Sequence, residues 1–202
     1  MIDTKKRKSA AIITAMGLGS YAGVQGMVQA IVALCRGDMV TGFLIHGVGA
    51  PCAPDRVWHA CMPAVTLLPD MTFTAIMTMI VSFTIIVWSL VSVHVRYGGL
   101  VLIGASLLLV FVGGGFTGPL VGMLGGLSAL WAGGRPPRLA FLSGWWPWPL
   151  VILLVTYPFG FLFGYLFPEL ALRLRVLIIG GFDGLLPIVT VLTGWARDGR
   201  TA

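Results

Sequence analysis

Acidic side chains are scarce in this chain, with seven Asp and Glu among 202 residues against 13 Lys and Arg. Charged residues make up 10% of the total, where a soluble globular domain carries about 25%. With 57% hydrophobic residues and a mean hydropathy of +0.96, too little polar side chain remains to cover a water-facing surface. The usual marks of catalysis are missing too. No pair of carboxylates sits in an apolar stretch, and there is no H-E-x-x-H, no G-x-S-x-G and no phosphate-binding glycine loop followed by lysine. Gly17-x-Gly19 lacks the strand–turn–helix setting of a dinucleotide site. Cysteine numbers only three, with no C-x-x-C and no C-x-x-C-H, so no haem, zinc or other cofactor is expected and no catalytic residue is assigned.

What the chain does have is long apolar stretches that recur from end to end. In lipid every backbone polar group must be bonded within the protein, and a crossing takes about 20 apolar residues. The expected fold is all-α, a polytopic transmembrane helical bundle in one domain over residues 1–202. The net charge of +6 does not point to nucleic acid, because the basic residues stand at the ends of apolar segments and form no single face. They read as topology signal and lipid-headgroup contact, so membrane lipid is the first expected partner.

The first apolar run, 10–34, follows Lys5, Lys6, Arg7 and Lys8. At 25 residues it exceeds a signal-peptide core of about 7–15, and Val32-Ala33-Leu34 before Cys35 is a poor cleavage site, so a retained helix with a cytoplasmic N-terminus is expected. Residues 35–70 hold Pro51, Pro54, Pro63 and Pro69, two histidines and all three cysteines. This proline density opposes a regular helix and predicts a loop outside the cytoplasm, with short interfacial pieces such as 42–48. The second span is 71–93, ending at His94, Arg96 and Tyr97.

Residues 98–134 are too long for one crossing, at about 55 Å as helix. Gly113-Gly114-Gly115 and Gly118-Pro119 break the stretch into 99–112 and 119–132, each about 20 Å, which suits a tight helical hairpin or a span with a re-entrant piece. Trp145, Trp146 and Trp148 form an interfacial belt before a span at 149–167, and the last span covers 176–195 ahead of a polar tail. With five crossings, seven of the Lys and Arg fall on the cytoplasmic side and six outside. With six, Arg135, Arg138, Arg197 and Arg200 join the four N-terminal cations and Arg96 inside, leaving Arg36, Arg56, Arg173 and Arg175 outside. The positive-inside tendency therefore favours six.

Several residues stand out within this frame. Cys52 and Cys61 are nine apart in the outer loop and predict a disulfide around Trp58 and His59, contributing about 2–3 kcal/mol by restricting the unfolded loop. Metal capture by His46, His59 and Cys61 with Met62 or Met71 is the lesser alternative, since no ligand spacing supports it. Gly19 with Gly23, Gly118 with Gly122 and Gly126, and Gly160 with Gly164 recur every four residues. Such ladders let another backbone approach closely, within the bundle or in a partner helix or second copy. Met71, Met77 and Met79 do not share a helix face and read as packing. His94 reads as a headgroup contact.

Asp183, in Gly180-Gly181-Phe182-Asp183-Gly184 before Pro187, is the one acidic residue inside an apolar span. An ionisable group at that depth marks a substrate, ion or proton site, unless it lies at a wetted helix end or pairs with Arg173 or Arg175. Gln25 and Gln29 share a face of the first span and would line a polar path with Thr14 and Ser20, or bond helices together. In size, glycine content and six-segment hydropathy the chain resembles the small substrate-capture subunits of bacterial vitamin uptake systems. That likeness is one of hydropathy, departs at the Cys/Pro loop, and transfers no residue. The expected function is a transport or channel component using Asp183, Gln25 and Gln29. The alternatives are an accessory subunit that binds partner membrane helices, and a redox or metal-handling protein that uses the outer loop.

Overall fold

The computed structural model of the protein describes residues 9–34, 46–47, 63–64, 66–68, 70–132, 140–167, 170, 173–174 and 179–201. The architecture is helical: α1 (Ala10–Leu34), α2 (Met71–Val91), α3 (Gly98–Phe111), α4 (Thr117–Trp131), α5 (Trp148–Leu166) and α6 (Leu186–Thr201). A π-helical segment, Ile179–Leu185, leads into α6, and a 3-10 turn, Ala140–Gly144, precedes α5. From the 35–70 segment, β1 (His46–Gly47) and β2 (Pro63–Ala64) pair antiparallel, His46 opposite Ala64. Among the described residues two helices are long and apolar enough to cross a membrane, through Ala10–Ile31 and Thr72–Val91.

Local chemistry explains several boundaries. α2 starts where the Asp70 carboxylate accepts from the Thr72 amide at 2.9 Å, satisfying one of the free donors of the first turn. α3 and α4 are separated by Gly113 (φ 97°) and Gly115 (φ 76°), a left-handed conformation that side chains with a Cβ rarely adopt. Beside that turn the Leu67 amide donates to Phe111 O at 3.0 Å and Thr78 Oγ1 donates to Val112 O, so the strand-bearing segment and α2 both hold it. Gly115→Ala is accordingly expected to lower stability by about 1 kcal/mol in a thermal melt in detergent, with the α3–α4 packing retained.

Successive helices run in opposite directions. Gly19 meets Ser89, and Gly26 meets Ser82, so α1 and α2 are antiparallel. Gly19 also meets Leu102, and Gly26 meets Leu109, so α3 runs with α1. Gly118 lies on Gln25, Gly125 lies on Leu18, and Ser128 Oγ donates to Ala11 O at 2.9 Å, so α4 turns back. Gly17 meets Leu150 and the Tyr21 ring meets Tyr157, which sets α5 parallel to α1. α6 returns, with Gly194 against Thr14 and Ala10. The break at Gly113–Phe116 is thus a tight helical hairpin. α3 and α4 are 14 and 15 residues long, about 21 and 22 Å.

The polar tail after 195 continues the last helix, and α6 stays helical to Thr201. Two contacts hold it there: Trp195 stacks on Trp131 at 3.8 Å, and Asp198 caps the first helix. Its carboxylate accepts from the Ala10 amide at 2.6 Å, the Ala11 amide at 3.2 Å and Ser9 Oγ. The start of α1 and the end of α6 therefore share one end of the bundle. Asp198→Ala leaves those donors unanswered and is expected to cost about 1–2 kcal/mol by thermal melting.

Small polar side chains share the interior with an apolar core, and the outer face of α2 is apolar. On α2, Thr74, Thr78, Ser82 and Ser89 are buried, while Phe73, Ile76, Ile80, Phe83, Val87 and Leu90 are exposed. Spacings of three and four put these apolar residues on one outward stripe. The ladders at Gly19–Gly23 and Gly118–Gly126 face inward. A Cβ on Gly126 would lie 2.6 Å from Gly99 O, one on Gly23 would lie 2.7 Å from Ser82 O, and one on Gly118 would lie 3.2 Å from Ala22 O. Gly19 and Gly122 abut Ser89 and Ser106. These ladders serve close approach inside this chain. The surroundings of Gly160 and Gly164 lie outside the described residues.

Candidate functional site

Tyr21, Gln25 and Gln29 recur every four residues on α1 and so line one face of it. The face points between α4, α5 and the π-helical segment. Tyr21 is the twelfth of the 25 residues of α1, which puts this level near the helix midpoint. Asp183 arrives at the same level from the other side. The sequence Ile179-Gly180-Gly181-Phe182-Asp183-Gly184-Leu185 winds as a π-helix, a form favoured by few sequences and frequent at functional positions. The glycines leave the segment little side-chain packing of its own. A Cβ on Gly180 or Gly181 would touch nothing within 4 Å.

The polar groups meet in one network. Tyr21 OH donates to Asp183 Oδ1 at 2.7 Å. The Gln25 amide nitrogen donates to Tyr21 OH at 3.1 Å and reaches Asp183 Oδ1 at 3.4 Å. Thr117 Oγ1, at the start of α4, donates to Gln25 Oε1 at 3.2 Å. Asp183 is 8% exposed, and its second oxygen, Oδ2, is buried with no hydrogen-bond partner. Its partners are a phenol and an amide. Arg173 is not among these partners, and Arg175, the other cation weighed from sequence, lies outside the described residues.

A carboxylate removed from water and left with one oxygen unanswered is costly, by several kcal/mol for an ion in a low-dielectric interior. Structures keep such groups at sites that exchange a charge or a ligand. Next to the network is a cavity of about 10 Å³, lined by Gln25, Val28, Gln29, Gly114, Thr117 and Tyr157. That volume admits one water-sized particle and no organic solute. It lies on the Leu34 side of the Tyr21–Asp183 pair, under the glycine turn between α3 and α4. On the Ala10 side, Leu18, Val121, Leu150, Leu153 and Val191 close the bundle as one buried apolar cluster.

Of the residues singled out from sequence, Asp183 and Gln25 are brought into contact, and Gln29 lines the adjoining cavity. Thr14 is not part of this group. It lies eleven positions from Gln25, about 16 Å along the helix, accepts from Trp146 Nε1 at 3.2 Å, and packs against Gly194. Ser20 is one position off the Tyr21 face, its hydroxyl buried without a partner. Tyr21, Thr117 and Tyr157 belong to the site and were not foreseen. The one sequence signal for Tyr21 is its spacing of four from Gln25. Among the described residues no three His, Cys, Asp or Glu side chains converge as a metal site. Cys52, Cys61, Cys35 and His59 lie outside the described residues, and His46 is described in its backbone strand alone. Neither a protein-family model, a curated protein nor a solved structure matches this chain. The site is therefore read from its own geometry.

Proposed function

We propose that this chain is a multi-pass protein of the cell membrane, with six crossings and a cytoplasmic N-terminus, and that it acts as a transport or channel component with its polar site at Asp183. The observation that carries this reading is the half-answered Asp183 carboxylate, buried level with the middle of α1 in a π-helical segment beside a one-water cavity. A carboxylate at that depth has no structural use that a neutral residue would not serve better.

The membrane setting rests on the outer face of α2: a stripe of exposed Phe, Ile, Val and Leu suits hydrocarbon and would drive aggregation in water. Six crossings are supported by the alternating helix directions and by Asp198, which joins the end of α6 to the start of α1 and so puts both on one side. That arrangement keeps nine Lys and Arg on the N-terminal side against four, and puts the 35–70 segment outside. α3 and α4 are short for full crossings, a mismatch that local thinning of the bilayer accommodates.

The alternative of an accessory subunit draws support from the same outward stripe of α2, a face that partner helices can cover as well as lipid. The ladders at Gly19–Gly23 and Gly118–Gly126 are occupied within the chain and do not serve that purpose. The test is charge movement by the purified protein in liposomes on a solid-supported membrane, after concentration jumps of proton, sodium or potassium. Transients above those of protein-free liposomes are expected for at least one ion. Silent liposomes together with a stoichiometric partner in the native membrane would replace the transport reading with the accessory one.

A further inference from the structure

We infer that the ion served by Asp183 is the proton, and that it reaches Oδ2 from the Leu34 end of the bundle through the cavity under the α3–α4 glycine turn. This deepens the transport reading and rests on it. The charge of Asp183 calls for a counterpart, and the groups facing it supply no cation. From α1 it meets Tyr21 and Gln25; Tyr157 of α5 stands edge-on to Tyr21 with ring centroids 4.8 Å apart; α4 contributes Thr117 through Gln25. The titratable neighbours are thus two phenols, and among the described residues no Lys, Arg or His answers the carboxylate.

Two counterparts are small enough for the cavity, a dehydrated metal cation and a proton delivered by one water. A metal ion stripped of its hydration shell needs several oxygens in its place. Among the described residues no such set is assembled around Oδ2, since this oxygen has no hydrogen-bond partner and Oδ1 already accepts from Tyr21. A proton needs one lone pair, and Oδ2 has it free. In the loading step a hydronium that reaches Asp183 by way of the cavity beside Gln25 breaks one O–H bond and leaves as water, while a new O–H bond forms at Oδ2. The carboxylate becomes a neutral carboxylic acid, and no charge remains buried. The cavity lies on the Leu34 side of the Tyr21–Asp183 pair, lined by Gln25, Gln29, Gly114 and Thr117, while Leu18, Val121, Leu150, Leu153 and Val191 pack as an apolar cluster on the Ala10 side.

The probe is dicyclohexylcarbodiimide, which enters apolar regions and couples to protonated carboxyls. It is applied to the full chain in vesicles whose Leu34 end faces the medium, and the adduct is located by peptide mass spectrometry. One principal adduct is expected, on Asp183. It should fall roughly tenfold as the outer pH is raised from about 6 to about 9 at fixed inner pH, and stay unchanged when inner pH is varied or sodium chloride is added. An adduct on Asp70 or Asp198 instead, control by inner pH, or protection by sodium would each overturn the inference. Because the native chain carries the measurement, a variant that misfolds does not confuse it. Labelling as stated without any charge movement would retain the proton site and remove transport. Charge movement with sodium-protected Asp183 would do the reverse.

Discussion

Asp183→Asn is expected to reduce charge movement by the reconstituted protein at least tenfold, to about the level of protein-free liposomes, while the protein still purifies and melts as the native chain does. The substitution preserves volume, and the amide oxygen still accepts from Tyr21 OH in the place of Oδ1. What it removes is the ionisable oxygen. An amide has no proton to take up at this pH, so a cycle of loading and release at this position stops. Stability should hold or rise slightly, because a neutral group replaces one whose charge is expensive to bury. A merely structural Asp183 behaves otherwise: its replacement would shift the melting temperature and leave the current intact. Solid-supported-membrane transients and a detergent melt of the same preparation separate the two.

Gly126→Leu is expected to abolish monodisperse protein in detergent. A Cβ at this position would stand 2.6 Å from the Gly99 carbonyl oxygen and 2.5 Å from Ile103 Cγ1. Here the obstacle includes backbone, which cannot swing aside, so α3 and α4 must separate. Overpacking in a tight core costs about 1–3 kcal/mol and more where the neighbours cannot yield, a large part of a marginal stability. Gly104→Leu is the matched control, with open space around the position and an outward-facing surface. It should leave size-exclusion elution and melting unchanged. Native elution of Gly126→Leu would show that the α3–α4 contact is not close in solution. Loss of a co-purifying partner in Gly104→Leu, with the protein itself intact, would assign the outer face of α3 to a partner helix.

The residues that could be read from sequence were those whose chemistry conflicts with their surroundings. Asp183 is an acid in an apolar span, and Gln25 and Gln29 are amides in another; each conflict is local and needs no fold to be seen. Tyr21 and Thr117 carry no such conflict, since tyrosine is an ordinary interfacial residue and threonine an ordinary one in membrane helices. Their roles depend on how α1, α4 and the π-helical segment are rotated toward one another, which a spacing of four constrains only within one helix. The same holds for the glycine ladders. Spacing marked Gly118, Gly122 and Gly126 as a smooth face, but the identity of the facing helix, α1 and α3 of the same chain, is a tertiary fact.

The hairpin at Gly113–Phe116 was legible as a break because three glycines and a proline weaken a helix wherever they fall. The end of α6 was not. Arg197, Asp198 and Arg200 read only as a polar tail, and they remain helical with Asp198 on the free amides of α1, 187 and 188 residues away in sequence. No local pattern predicts a cap supplied from that distance.

The six proposed crossings require the helix directions to alternate across the bilayer. With Cys35, Cys52 and Cys61 replaced by serine, single cysteines at positions 95, 116, 141, 170 and 202 can be probed with an impermeant thiol reagent in intact cells. Positions 116 and 170 should react from outside, and positions 95, 141 and 202 only after permeabilisation. Protection of position 116, or reaction of position 202 in intact cells, would contradict six crossings and with them the outer access assigned to Asp183.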